Sequence, residues 1–342
     1  MINFVILFAV IVAAIIYYVQ KRNALIAVVL CGIGLAIVVA VNAASLVFSA
    51  SSVELISGQV TGKDRHYDPD EETYSCGKDK TCTREIPRWR WDVESDTGDD
   101  YSEHTYSKSD VPEIYANARK GEPFARTKMF LNFQYVSDQT ISVNKQFEYT
   151  GWLPEYPSIY NGYRVDRGIS NVVDSSELSK ALAQMQRQWG PEYGANVIVT
   201  VVSYKASGFN EALRNKWVGG KKNDIVLTLY LDDDKTVKKV ELFSRSTSNK
   251  HNKEMADFNI MLRDTAAQIG TYDPVKVIPV VNSALPYFER EDLSKYDFLM
   301  NDYEAPWFVY VLSVVLAFVA MFFAMVKMEE SMRYSYNRRR YF

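Results

Sequence analysis

Histidine and cysteine are scarce in this chain, with three of each among 342 residues. His66, His104 and His251 are far apart in sequence and show no metal-binding spacing. The sequence also lacks a G-x-S-x-G element, an H-E-x-x-H element and a P-loop. These absences argue against the common hydrolase and nucleotide-binding signatures. A net charge of -3 likewise provides no overall positive field for nucleic acid.

Long apolar runs are concentrated at the two ends of the chain. Residues 306–326, PWFVYVLSVVLAFVAMFFAMV, carry no charge. A helix of this length spans about 30 Å, the thickness of the hydrocarbon core of a bilayer. Trp307 and Tyr310 mark one interface, and a basic tail follows the other end, as in a stop-transfer segment. A buried core helix is the alternative, although such a helix seldom runs this far without a polar face.

The N-terminal apolar region divides into two runs that are separated by Lys21 and Arg22. A signal peptide is the alternative for residues 1–20, which have no basic segment before them and no small-residue cleavage site. We predict a transmembrane helical hairpin over residues 1–50. With the C-terminal helix at residues 305–327, the chain would have three transmembrane helices.

Basic residues determine the expected orientation, because they are enriched on the cytoplasmic side of a membrane. Lys21 and Arg22 place the hairpin turn in the cytosol, and the tail at residues 328–342 places the C-terminus there too. Residues 51–304 then face outward. In a bacterial inner membrane, which we expect here, this side is the periplasm, where disulfide bonds form.

Cys76 and Cys82 flank the polar turn sequence GKDKT. Cysteines at this spacing can close a small hairpin, and such a bridge would stabilise it by about 2 kcal/mol. Two free thiols are one alternative. A metal site is another, although two cysteines without clustered histidines leave the ligand set incomplete. We predict the disulfide.

The region between the membrane segments changes character near residue 150. Residues 51–150 contain short alternating patterns, such as RWRWDV at residues 88–93, and predict a β-rich subdomain. Residues 151–174 are rich in Pro, Gly and Tyr and predict an irregular linker. Residues 175–304 predict the order α-β-α-β-β-α-α, which is typical of an α/β sandwich. The predicted fold class is therefore an α+β membrane protein.

Several local expectations are specific enough to compare with a structure. The helix that opens after residue 174 is expected to end at Gly190 and Pro191. Apolar β-branched runs at residues 195–204 and 224–231 predict buried strands. Residues 141–149 predict a further strand.

The α/β region resembles the TPM domain, a family that includes thylakoid acid-phosphatase-like proteins and many membrane-anchored bacterial proteins. Its hallmark is a helix that ends in a Trp-containing, Gly-Lys-Lys-like turn before an apolar strand. The matching residues are Trp217, Gly220, Lys221, Lys222 and the strand at residues 225–230. The resemblance covers residues 175–284 and implies a TPM-like sandwich. The family's charged, glycine-bearing end of the third strand is replaced by ELFS at residues 241–244, so phosphatase activity does not follow directly.

A second resemblance is to uncharacterised membrane proteins encoded by tailed phages. It includes the hairpin anchor and two short patterns, E-x-x-x-G-x-V-x-x-K and G-E-P-x-A. The matching residues are Glu54, Gly58, Val60 and Lys63, and then Gly121, Glu122, Pro123 and Ala125. This resemblance implies a viral origin and a location in the host membrane, without a specific activity.

Asp232, Asp233 and Asp234 follow the second predicted buried strand. Carboxylates beyond the end of a strand suit Ca²⁺ or Mg²⁺, which makes these residues a candidate metal site. The alternative is a solvated β-turn, because aspartate is also common in turns. We expect no other cofactor.

Aromatic residues accompanied by arginines are the most prominent compositional feature, with 23 Tyr and 6 Trp in the chain. Tyr, Trp and Arg are enriched at interface hot spots. The candidate interaction residues in the linker are Trp152, Tyr156, Tyr160, Tyr163 and Arg164. The alternative is that these aromatics fill a core that is poor in aliphatic residues.

We therefore expect a membrane-anchored extracytoplasmic interaction protein, phage-encoded, that acts at the host envelope through protein–protein contacts. Expected partners are the lipid bilayer and an unknown membrane or envelope protein, with no nucleic acid. A TPM-like phosphatase or metal-dependent hydrolase is the first alternative. A structural subunit of a membrane assembly is the second, and a homo-oligomer packed on Gly32 and Gly34 would be its sign.

Overall fold

A computed structural model describes residues 11–13, 15, 17, 24–77, 80–136, 149–245, 253–290 and 292–338. The chain forms two compact units. The first unit contains Met1–Ser51, Leu131–Thr140 and Ser294–Phe342, and the second contains Ser52–Phe130 and Ile141–Leu293. The second unit thus includes residues of both the predicted β-rich subdomain and the predicted α/β domain, whose boundaries stay predictions.

The described part of the chain mixes helices and strands. The helices are α1 (Ala24–Ala50), α2 (Glu113–Asn117), α3 (Ser176–Tyr193), α4 (Phe209–Lys216), α5 (Lys253–Ala266), α6 (Pro274–Ala284) and α7 (Trp307–Arg338). The strands are β1 (Ser51–Tyr67), β2 (Asp70–Gly77), β3 (Lys80–Ile86), β4 (Trp89–Ser95), β5 (Tyr101–Thr105), β6 (Pro123–Leu131), β7 (Gly168–Ser170), β8 (Asn196–Ser203), β9 (Asp224–Leu231) and β10 (Val237–Ser244). From α3 onward, the predicted order α-β-α-β-β-α-α is confirmed.

The first unit contains two helices that are long and apolar enough to cross a membrane, over Leu25–Ala50 and Trp307–Ser331. Only 28% and 22% of their most apolar stretches are buried within the protein. A core helix of a soluble protein would be mostly covered, so this exposure suggests membrane association. The first predicted span, over residues 1–20, lies largely outside the described residues.

These two helices pack against each other along an apolar seam. Leu30 and Val38 of α1 share a buried cluster with Ala317 and Met321 of α7. Near the end of α1, the side chain of Ser45 is hydrogen-bonded to the hydroxyl of Tyr303 at 2.6 Å. Small residues such as Ala317 let helix backbones approach closely in lipid.

The sheet β10-β9-β8-β7 forms the core of the second unit. Strands β7, β8 and β9 are parallel, and β10 is antiparallel to β9. Nearly every residue of β8 and all of β9 are buried, because α3, α5 and α6 contribute to a cluster on one face and α4 to a cluster on the other. Both predicted buried strands are thereby confirmed, and their continuous apolar runs reflect burial on two faces.

Helix α3 does not end where the sequence pattern predicts. It continues through Gly190 and Pro191 to Tyr193, so the expected end at Gly190 is wrong. A side chain at Gly190 would collide with the carbonyl oxygen of Ser57 in β1, so glycine is required by close packing. The helix ends instead at Gly194, which has a φ of 64° and donates its N–H to the Gly190 carbonyl.

A short strand interrupts the region that was predicted to be an irregular linker. Gly168–Ser170 forms β7, which pairs in parallel with β8 through Gly168↔Val199 and Ser170↔Val201. Part of the predicted linker over residues 151–174 therefore has regular secondary structure, while its bounds stay a prediction. Three residues are too few to show a period-two pattern in the sequence. The strand forms because its backbone pairs with the edge of β8. The strand predicted at residues 141–149 lies outside the described residues, apart from Tyr149.

The second sheet, β5-β4-β1-β6, is smaller and rich in aromatic side chains. Its core contains Val60 of β1, Val93 of β4 and Phe124 of β6, with Tyr163 from the connecting segment. Half of the side chains that form this core or pack against it are aromatic. Trp91 of β4 is also buried, whereas Trp89 is only partly buried.

The strands β2 and β3 form a separate two-stranded hairpin. Cys76 and Cys82 are joined by a disulfide across it, with their Cα atoms 5.8 Å apart, so the predicted bridge is confirmed. Almost every residue of both strands is exposed. Because an isolated hairpin without a core is only marginally stable in water, the disulfide is its main constraint.

Candidate functional site

The three aspartates proposed as metal ligands lie in the turn between β9 and β10. The N–H of Lys235 donates to the carbonyl of Asp232 at 2.9 Å, which closes a β-turn. The Asp233 carboxylate pairs with Lys205 at 3.2 Å, and that of Asp232 pairs with Lys238 at 3.6 Å. Within the described ranges, no three His, Cys, Asp or Glu side chains converge. Metal binding at this turn stays a prediction.

Two of the predicted interaction residues make contacts within the second unit. The ring of Trp152 stacks on Phe209 of α4, with centroids 6.1 Å apart. The ring of Tyr156 meets Trp217 edge-on at 5.3 Å, and its hydroxyl donates to Asp224 at 2.9 Å. These side chains contribute to the packing that covers the α4 face of the central sheet.

The other three predicted interaction residues, Tyr160, Tyr163 and Arg164, line a cleft. One wall is the start of β6, and the opposite wall is α3. The cleft has a volume of about 220 Å³ and opens to solvent. Its polar and aromatic lining includes Tyr160, Tyr163, Arg164, Arg167, Lys180 and Arg187.

A tight turn explains how Tyr160 and Arg164 come together at the cleft. Tyr160 and Arg164 exchange backbone hydrogen bonds of 2.9 and 3.0 Å. Between them, Asn161 and Gly162 have φ values of 44° and 80°. Asn and Gly adopt positive φ more readily than other residues, and two of the three residues within this turn need it. This dipeptide was a signal in the sequence that the linker prediction did not use.

Glu122 holds one side of the cleft in place. Its carboxylate accepts hydrogen bonds from the Tyr163 hydroxyl at 3.1 Å and from Arg164 Nη2 at 2.7 Å. The Tyr163 ring stacks on Phe124 at 4.9 Å. Burial, reinforced by the Glu122 charge and hydrogen bond, raises the pKa of Tyr163 to about 12. Tyr163 is therefore a neutral hydroxyl donor at physiological pH.

Arg167 lies at the floor of the cleft and is only 3% exposed. Its Nε donates to Asn196 Oδ1 at 2.7 Å, and its Nη2 donates to Ser57 Oγ at 2.6 Å. Desolvation lowers its pKa to about 10, so the guanidinium remains charged at neutral pH. Sequence reasoning did not identify Arg167, because nothing in the local pattern distinguishes a buried arginine from a surface one.

A buried chain of hydrogen bonds extends from Arg167 across the central sheet. Asn196, which accepts from Arg167, donates through Nδ2 to Asp224 Oδ1 at 2.8 Å. Asp224 also accepts from the Tyr156 hydroxyl and from the backbone N–H of Lys221. Burial raises the pKa of Asp224 and outweighs these hydrogen bonds, and burial also raises the pKa of Tyr156 well above its ordinary value.

Further cations lie on the wall and at the mouth of the cleft. Arg187 of α3 donates through Nη1 to the carbonyl of Gly121 at 2.7 Å. Lys180, about two turns earlier in α3, is exposed and pairs with Glu177 at 2.9 Å. Beyond them, Arg119 and Lys120 border a wider opening of about 570 Å³. The arrangement is suited to binding an anionic group, with aromatic surface beside it.

Comparison of the chain with models of protein families, with curated proteins and with solved structures yields no match. The TPM-like and phage-like resemblances therefore stay predictions, and the cleft is interpreted from its own geometry.

Proposed function

We propose that this chain is a membrane-anchored binding protein that holds a segment of a partner protein in the cleft. The observation that carries the proposal is the convergence of Tyr160, Tyr163 and Arg164 with Arg167 and Arg187 around one open cleft. Tyr and Arg are the side chains most often found at interface hot spots, since each combines contact area with directional hydrogen bonds.

The apolar helices α1 and α7 support the membrane anchor. The second unit is connected to both, because α1 directly precedes β1 and α7 follows the end of the unit. We propose three transmembrane spans, with residues 51–304 in the periplasm and the C-terminus in the cytoplasm, on the basis of the basic residues beside the apolar runs. The partner is then a membrane or envelope protein. The phage resemblance suggests the envelope of a bacterial host as the setting.

Site-specific photo-crosslinking tests this proposal in intact membranes. A photoreactive phenylalanine would replace Tyr160, which is 43% exposed and borders the cleft. The matched control would carry it at Tyr204, which is 52% exposed and directly follows β8. We expect a discrete crosslinked protein from position 160 that is absent from position 204, because only the first site faces the proposed partner.

A discrete adduct at position 160 that is lost when Arg187 is replaced by Gln would support binding through the cleft. No adduct at position 160, or the same adducts at positions 160 and 204, would reject it.

A further inference from the structure

The cleft and its mouth carry more positive than negative side chains. The cations are Arg119, Lys120, Arg164, Arg167, Lys180 and Arg187, whereas the carboxylates are Glu122 and Asp166. Low-dielectric walls concentrate the field of such a cluster and attract ligands of opposite charge. The molecule as a whole is slightly acidic, so this positive region is a local feature.

Not all of these cations are equally available to a ligand. Arg164 is already paired with Glu122 at 2.7 Å. The Lys180–Glu177 pair is solvent-exposed, and pairs of this kind contribute little, so Lys180 can turn toward a ligand. Arg187 donates to a backbone carbonyl, which leaves its charge without a carboxylate partner among the described residues.

Arg167 provides the strongest indication of an anion site. It is buried, and its hydrogen-bond partners Asn196 and Ser57 are both neutral, while the charges of Asp224 and Asp166 act on it through space. Its Nη1 has no hydrogen-bond partner in the described part of the chain, and the side chain lines the cleft. A buried guanidinium with a free N–H group gains most from an anionic acceptor, because it has already lost its hydration.

The shape and lining of the cleft favour a peptide over a small inorganic anion. The inner volume of about 220 Å³ continues into the mouth of about 570 Å³, which is large compared with one ion. Pro123, Phe124 and Ala125 add apolar surface beside the cations. A chain of side chains can use both kinds of surface, whereas a single phosphate can use only the charged one.

We infer that the cleft binds an acidic peptide segment of a partner protein, with one carboxylate on Arg167 at the floor and a neighbouring carboxylate on Arg187 at the wall. This inference rests on the proposed function and specifies the chemistry of the partner. Lys180, Arg119 and Lys120 then guide the approach of the segment, because exposed charges act chiefly on the association rate.

A binding experiment with the full chain in nanodiscs of neutral lipid tests the inference. The probe is a short fluorescent peptide that contains alternating Glu and Leu, and the matched peptide has Gln in place of Glu. We expect the acidic peptide to bind and the Gln peptide to bind at least tenfold more weakly, a difference of about 1.4 kcal/mol. Binding should weaken as salt is raised, since the contacts are ionic.

Variants locate the binding within the molecule. Arg187→Gln should weaken the acidic peptide about tenfold, because it removes a partly buried partner of the carboxylate. Lys180→Gln should weaken it about threefold, since its charge is exposed. Lys205→Gln, which removes an equally exposed cation that pairs with Asp233 outside the cleft, should leave binding unchanged. Arg167→Gln is informative only in combination with these variants, because it also disturbs buried hydrogen bonds.

Several outcomes would overturn the inference. Equal binding of the Glu and Gln peptides would remove the requirement for carboxylates. Equal effects of the Arg187 and Lys205 changes would place binding outside the cleft. Complete competition by millimolar inorganic phosphate would assign the site to a small anion. If crosslinking at Tyr160 succeeds while the acidic peptide fails to bind, the proposed function stands and this inference alone is rejected.

Discussion

The two sheets of the second unit are built on different principles. In β10-β9-β8-β7, aliphatic side chains are buried on both faces, and Leu227 at the centre of β9 is fully inaccessible. In β5-β4-β1-β6, aromatic side chains such as Phe124 and Tyr163 share the core with aliphatic ones, and the C-terminal end of β1 is exposed. The first sheet therefore provides most of the hydrophobic stabilisation. The second supplies polar and aromatic groups beside the cleft.

The comparison suggests that stability and recognition are separated within one compact unit. Ser57 of β1 is connected to the central sheet through the buried Arg167, which is also hydrogen-bonded to Asn196 of β8. A recognition site needs polar groups that are exposed or that lack some of their hydrogen-bond partners. A fully aliphatic core excludes such groups.

The largest expected effect is in the aliphatic sheet. Leu227→Ala should lower the free energy of unfolding by about 3 kcal/mol, since it removes a fully buried side chain and leaves a cavity. Tyr67→Ala, at the half-exposed end of β1, should cost less than about 1 kcal/mol. Denaturant unfolding of the full chain in detergent, followed by tryptophan fluorescence, measures both. Equal losses would contradict the proposed division between the sheets.

A change at Asn196 tests the hydrogen-bond chain that connects the cleft to the central sheet. Asn196→Ala removes one hydrogen-bond partner from the buried Arg167 and one from the buried Asp224, and we expect a loss of about 3 kcal/mol. Asn210→Ala is the matched control, because Asn210 accepts one hydrogen bond, from Thr228. It should cost about 1 kcal/mol. Similar losses for the two variants would show that the buried chain adds nothing beyond single hydrogen bonds.

Removing the disulfide should act locally. Replacing Cys76 and Cys82 together with serine should destabilise the β2–β3 hairpin by about 2 kcal/mol, mainly by increasing the entropy of the open hairpin. Hydrogen exchange should accelerate in β2 and β3 and stay unchanged in β9, because the hairpin is a separate sheet. Cys31→Ser in α1 serves as the control. Faster exchange throughout the second unit would show that the hairpin supports the core.

The smallest expected effect is a pair of opposite pH dependences at the two ends of β9. Burial raises the pKa of Asp224 above its ordinary 3.8, so its contribution to stability falls as the pH rises from 3.8 through the raised value. Hydrogen bonds from Thr236 lower the pKa of Asp234, so its contribution is present above 3.8 and is lost as the pH falls.

Melting curves across acidic pH distinguish these two carboxylates. The melting temperature of the wild type minus that of Asp224→Asn should decrease as the pH rises. The melting temperature of the wild type minus that of Asp234→Asn should increase as the pH rises. Parallel behaviour of the two variants would contradict the assignment. Repeating the Asp234 measurement with Ca²⁺ or Mg²⁺ also tests the metal prediction, since an ion bound at the turn would stabilise only the wild type.

Parts of the fold were predictable because their signals are local. The uninterrupted apolar runs of β8 and β9 and of the two terminal helices indicate burial or lipid contact directly. The Cys76–Cys82 bridge follows from a spacing that suits a hairpin. In contrast, Gly190 was interpreted as a helix end, because its packing partner, Ser57, is remote in sequence.

The candidate site was only partly predictable for the same reason. The Tyr and Arg content of the linker pointed to Tyr160, Tyr163 and Arg164, and the structure brings these residues to one cleft. Trp152 and Tyr156, which have the same composition signal, pack instead against α4. Composition identifies the residue types of an interface but not the direction in which each side chain points.

The sequence by itself determined the apolar terminal helices, the disulfide hairpin and the buried strands of the central sheet, because each depends on residues that are close along the chain. Tertiary structure alone decided that Arg167 lies at the floor of a cleft, that α3 passes through Pro191 and that Asn196 connects Arg167 to Asp224. These features depend on which groups, remote in sequence, are buried together in the low-dielectric interior. There, one unpaired charge or one added methyl group has its largest effect on the free energy of folding.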